Sequence, residues 1–110
     1  MEPTSIHEQS QLDEAFSSPV YLLFKHSNIC PTSAFAFAEY RRFLEETPDI
    51  KTAVIDVIGQ RPLSQGVAKE TGVEHASPQA LLLQDGKVVW HASHGGITSS
   101  SLRAALEQLP

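Results

Sequence analysis

Cysteine is nearly absent from this chain, which has one thiol, Cys30, in 110 residues. A lone sulfhydryl cannot close an internal disulfide, so oxidised staples are excluded and any thiol redox chemistry must draw its second sulfur from another molecule. Apolar runs are short. None approaches the ~20 residues of a membrane span, and Met1-Glu2-Pro3 opens without the basic and apolar regions of an export signal; the expectation is a cytoplasmic protein with no membrane partner. Cations are also scarce, with 8 Lys and Arg against 13 Asp and Glu, and the net charge of -5 has the wrong sign for capturing a phosphate backbone. No nucleic-acid partner is expected. The histidines show no ligand spacing of the H-x-x-x-H kind, and one cysteine cannot complete a structural zinc set, so no metal is expected. Linkers, repeats and low-complexity tracts are missing too, which leaves residues 1–110 as one domain. Its 41% hydrophobic and 19% charged residues suffice to build a core.

The elements that are present alternate. Val20-Tyr21-Leu22-Leu23-Phe24 is short and apolar, as a strand buried on both faces would be, and should lie centrally in a sheet. Pro31 suits a first helical turn, and 32–46 follows as a helix with Ala34, Phe37, Ala38 and Leu44 at helical spacing. Phe35, Phe37, Tyr40 and Phe43 read as its core-packing stripe, with Arg41 and Arg42 on the solvated side. A second strand spans 52–57, and Pro62 opens a helix that Gly72 can close. Ala80-Leu81-Leu82-Leu83 and Val88-Val89-Trp90 form a hairpin through Asp85-Gly86. The last helix has Thr98 as N-cap and Leu102, Ala105, Leu106 and Leu109 as its apolar stripe. Leu12, Ala15 and Phe16 give a shorter helix upstream, preceded by a brief edge strand near Ser5-Ile6. The order predicts an α/β fold with a mixed four- or five-stranded sheet flanked by helices, parallel at first and closed by an antiparallel hairpin.

Cys30 therefore falls at a helix N-terminus, after a central strand. Thiolate is the form that attacks disulfides, and unpaired amides with the positive end of the helix dipole favour it there. The amides of Thr32 and Ser33 and the Ser33 hydroxyl can point back at the sulfur. Ser33 lies one helical turn from Cys30, where a C-x-x-C pair would have its second thiol, so the resolving sulfur is replaced by oxygen. His26, at the strand end, can tune the thiol or receive its proton. The bland readings stand beside these: a free cysteine is often a buried, inert residue, and a strand-end histidine is often only solvent-facing. Proline at the start of a strand, as in Ser77-Pro78, is structurally ordinary.

Lys25-His26-Ser27, Cys30-Pro31 with Ser33, Arg61-Pro62-Leu63-Ser64, His75 with Ser77-Pro78-Gln79, Trp90-His91 with Ser93-His94, and Ile97-Thr98 together resemble the YtxJ-type monothiol bacilliredoxins of the thioredoxin superfamily. Ile29 stands where Thr commonly precedes the cysteine, and Thr32 where Ile often follows the proline. The resemblance implies a thioredoxin-like fold and an oxidoreductase that removes bacillithiol from S-bacillithiolated proteins through a Cys30 mixed disulfide. It implies bacillithiol as a co-substrate with no permanently bound cofactor, and a low-molecular-weight thiol or a partner reductase to free Cys30. It also implies a cis Ser77–Pro78 bond facing the thiol, with backbone groups presented to the bound disulfide. Cys30, Pro31 and Ser33 are then the catalytic candidates, and His26, Thr32, Ser77 and Pro78 the substrate-binding ones. Two other classes fit a single cysteine: a monothiol glutaredoxin-like carrier of iron–sulfur clusters, against which Pro31 argues, and a non-enzymatic stress-response binding module.

Overall fold

A computed structural model describes residues 3–110. Its elements run β1 (Thr4–Ser5), α1 (Gln9–Ser17), β2 (Val20–His26), α2 (Pro31–Glu46), β3 (Thr52–Asp56), α3 (Arg61–Thr71), β4 (Gln79–Gln84), β5 (Lys87–Ser93), a 3-10 turn at His94–Gly96, and α4 (Ser99–Glu107). The five strands form one sheet in the order β1-β3-β2-β4-β5. Both β1 and β2 run parallel to β3, whereas β4 is antiparallel to β2 and to β5. The apolar run is thus the central strand. Unbroken hydrophobicity is what that position demands, because both of its faces are covered.

Alternation along the strands divides the core in two. Leu22, Phe24, Val54, Ala80 and Leu82 pack with Ala36, Tyr40, Phe43 and Leu44 of α2 and Leu102 and Ala105 of α4. Tyr21, Leu23, Ala53, Ile55, Leu81 and Leu83 pack on the other face with Leu12 and Ala15 of α1 and Val67 of α3. Each large apolar side chain so buried contributes roughly 1.5–3 kcal/mol. Helix ends follow local chemistry. Thr98 accepts from Ser101 N and Ser101 answers the Thr98 N–H, while Gly72 closes α3 in the left-handed region at φ 75°.

The buried stripe of α2 departs from the expected one. Ser33, Ala36, Tyr40, Phe43 and Leu44 are inside, Ala34 and Ala38 are exposed, Phe37 is half-buried, and Phe35 is 80% exposed. The phase of the helix is set by two polar anchors as well as by apolar residues. Ser33 Oγ is tied to the β2–α2 loop, and the Tyr40 hydroxyl lies 2.6 Å from Thr52 Oγ1, which donates to Leu22 O at 2.7 Å. Fixing 33 and 40 inward turns 34, 35 and 38 outward at 100° per residue.

Candidate active site

Three chain segments meet at one end of the sheet: the loop after β2, the loop after β3, and the approach to antiparallel β4. The Lys25–Gln79 pair is the last in the β2–β4 register, and the next step along leads to His26 and Pro78. Val57 N donates to His26 O at 3.0 Å, which joins the β3–α3 loop to the same spot. Ser77–Pro78 is cis, as the resemblance implies.

Cys30 is the N-cap of α2, with φ -105° and ψ 120°, half-buried and a free thiol. Pro31 takes the first turn, where a missing N–H is harmless. Pro31 and Thr32 are exposed. The helix amides do not do what the sequence suggested, since the Cys30 side chain accepts no capping hydrogen bond. Nor does Ser33 turn toward the sulfur. Its fully buried hydroxyl accepts from Ser27 N at 2.9 Å and lies 3.1 Å from His26 Nδ1. Loop amides at a strand-to-helix junction have no ladder partner, and Ser33 supplies one. The hydroxyl keeps its own proton and a second lone pair for Nδ1, so it can meet either tautomer of His26.

His26 is neither a bare solvent-facing ring nor hydrogen-bonded to the thiol. It is half-buried, with its ring 4.5 Å from that of Phe37, and burial pulls its pKa down against the opposing field of Asp56. His26, Asn28, Phe37, Asp56 and Gln60, with His7 from beyond β1, line a cavity of about 330 Å³. Ser77 and Gln79 flank Pro78, and Ser77 Oγ and Gln79 Oε1 are buried with no hydrogen-bond partner among the described residues. Beside Cys30 in the chain, Ile29 is a large apolar side chain that is 78% exposed, next to exposed Asn28, Pro31 and Thr32.

One group was passed over as a site residue in the sequence. Lys25 is fully buried in the central strand, with Nζ 3.1 Å from His75 Nδ1, and Ser64 Oγ stands 3.4 Å from the same nitrogen. Burial pushes the Lys25 pKa down to about 8; His75 is held low by burial and by the charges of Lys25 and Arg61. The signal was available, because a lysine inside a strand buried on both faces must find a partner.

A half-buried lone thiol at a helix start, at the sheet end that also carries the cis Ser77–Pro78 bond, can attack a disulfide and hold the resulting adduct, but it cannot expel it internally. The family model of the monothiol bacilliredoxin BrxC matches residues 4–102. The chain belongs to the monothiol bacilliredoxin family. Among solved structures, this bacilliredoxin is similar to a proposed oxidoreductase with a thioredoxin fold, at 35% identity over 94% of this chain and 92% of that one, with a TM-score of 0.87. Thioredoxins share its fold at lower identity. One from Trypanosoma brucei brucei is 15% identical with a TM-score of 0.79, covering 96% of this chain and 88% of its own. A variant from Halobacterium salinarum is 24% identical with a TM-score of 0.76, covering 99% and 95%. Among the described residues of the bacilliredoxin, no helix is long and apolar enough to cross a membrane.

Proposed function

We propose that this bacilliredoxin removes bacillithiol from S-bacillithiolated proteins by monothiol exchange at Cys30. The observation that carries the reading is the placement of the only cysteine, half-buried, as the N-cap of α2, with an oxygen at the position of a resolving sulfur. The Cys30 thiolate attacks the bacillithiol sulfur of the protein mixed disulfide. The Cys30–bacillithiol S–S bond forms, the protein–bacillithiol S–S bond breaks, and the protein thiolate leaves and takes up a proton. An outside thiol, either free bacillithiol or the thiol of a partner reductase, then attacks the bacillithiol sulfur of the adduct. The new disulfide departs and Cys30 leaves as thiolate, so the two electrons come from the outside thiol.

Ser33 holds the loop rather than the sulfur, so its role here is to position Cys30. Ser77, the residue before the cis bond, is the one whose backbone can pair strand-like with the bound disulfide, since Pro78 has no N–H and its carbonyl accepts from His94 N at 3.2 Å. Thr32 and Ile29 stand at the mouth, where the released protein chain passes. The setting is a reducing one, consistent with a chain that has no internal disulfide to keep oxidised.

The test uses a protein carrying a bacillithiol mixed disulfide with substoichiometric enzyme and excess bacillithiol. Wild type is expected to turn over many times and to gain the bacillithiol mass on Cys30 when the outside thiol is withheld. Cys30→Ala and Cys30→Ser are expected to do neither. Activity in Cys30→Ala overturns the mechanism, and an adduct without turnover points instead to a modified, non-enzymatic binding module.

A further inference from the structure

A second cavity, of about 230 Å³, opens on the other side of the β3–α3 loop and is lined by Val57, Ile58, Arg61, Ser64, Gln65 and His75. Its chemistry is cationic. The ion pairs between described residues are Glu39–Arg42 and Glu46–Arg103, and neither Lys25 nor Arg61 belongs to one. Lys25 is a fully buried amine whose hydrogen-bond partner is an imidazole rather than a carboxylate. A buried cation without a counter-charge is costly, and the charges acting on the neighbouring His75 are both positive. As an ammonium Lys25 can only donate, so His75 Nδ1 accepts and Nε2 carries the proton, making that edge of the ring a donor. The 11-residue helix α3 starts at Arg61 with no acidic residue in its first turn and no side-chain bond from its N-cap Gln60. Its dipole adds to the same field. The carboxylate at the end of β3, Asp56, is otherwise engaged: it accepts from Ile58 N at 3.0 Å and lines the opposite cavity.

We infer that this cleft is an anion subsite which receives a carboxylate of the low-molecular-weight thiol carried on Cys30. The inference rests on the exchange proposed above and names a recognition element for it. The cleft lies at the same end of the sheet as the thiol, since its wall is the loop whose Val57 N–H binds His26 O, and Lys25 stands opposite Gln79 next to Pro78. A volume of about 230 Å³ suits a short carboxylate arm and is too small for a folded peptide segment. Arg61 supplies the planar fork that pairs with a carboxylate, His75 a single N–H, and Lys25 an unneutralised charge behind both.

Two measurements test it. In the first, wild type is titrated with succinate and, separately, with neutral succinamide at matched ionic strength, following the His75 ring and the Arg61 and Ser64 amides by NMR. Saturable shifts with succinate alone, lost in Arg61→Gln, are expected; equal shifts with both probes, or shifts that survive in Arg61→Gln, overturn the site. In the second, kcat/KM is compared for one carrier protein bearing either a bacillithiol or a cysteamine mixed disulfide. Arg61→Gln is expected to lower the preference for the bacillithiol form about tenfold, as loss of one charge-assisted pair predicts. An equal fall for both disulfides would mean that the arginine reads the carrier protein and would overturn the assignment to the small thiol. Failure of the exchange reading itself is separable: no turnover on either disulfide with intact succinate binding leaves an anion site in a protein of another activity.

Discussion

At the scale of single residues, the Ser33 hydroxyl does two jobs at once. It accepts the Ser27 N–H and meets His26 Nδ1, both in a buried setting. Ser33→Ala leaves a loop amide without a partner, which costs about 1–3 kcal/mol. The unfolding free energy is expected to fall by that amount, seen as a lower denaturation midpoint at unchanged m, while the fold persists. Because the same loop carries Cys30, the rate of adduct formation should fall with it, and an unchanged midpoint would show that water replaces the hydroxyl at no cost. The serine was legible in the sequence as the oxygen in place of a second thiol. Its partner was not, because a side chain at a helix start can turn toward the cap or back into the preceding loop, and only the packed loop decides which.

At the scale of elements, the hairpin turn is the most sensitive joint. Asp85 and Gly86 both sit at positive φ, 52° and 81°, the pairing that joins two twisted strands with two residues. A Cβ at Gly86 would also lie 2.5 Å from Phe16 O at the end of α1. Gly86→Ala thus combines conformational strain with a collision against backbone and should cost about 2 kcal/mol or more. Gly72 has nearly the same conformation, at φ 75°, but open space around it. Gly72→Ala should cost only about 1 kcal/mol. Urea midpoints of the two variants check the order, and a reversal would locate the hairpin contact wrongly. The Asp-Gly turn was plain in the sequence, whereas its contact with α1 depends on how that helix docks.

At the scale of the whole molecule, Lys25 links folding to pH. Its folded pKa is about 8 against an ordinary value of 10.5, so between those limits the unfolded chain binds more protons than the folded one. The resulting stability is fully present above 10.5 and is lost as pH falls toward 8. Lys25 is expected to contribute a gain of about 2 kcal/mol between pH 8 and pH 10, an upper value for an amine that relaxes or hydrates on charging, read as the difference between wild type and Lys25→Met because the raised pKa values of Tyr21 and Tyr40 act in the opposite sense near pH 10. Lys25→Met should remove that rise. His26 and His75 are also depressed, and by the same sign they withdraw stability as pH falls below about 6.5. A wild-type profile that parallels that of Lys25→Met from pH 8 to pH 10 would mean that Lys25 keeps its ordinary affinity for protons.

The sequence by itself determined the element order, the central place of the apolar strand, the five-stranded mixed sheet within the four or five expected, the helix start at Pro31 and the position of the thiol. These follow from local chemistry: hydrophobic period, the fixed φ of proline, the tolerance of glycine and the absence of a second sulfur. Only the tertiary structure decided which face of α2 is buried, where the Ser33 hydroxyl points, and that buried Lys25 and Ser64 meet the more exposed His75 in one polar cluster. Those three residues lie in β2, in α3 and in the approach to β4, up to fifty residues apart. No periodicity within one element can report such a meeting, because a buried charge takes its energy from whatever partners the packing of separate elements brings within reach.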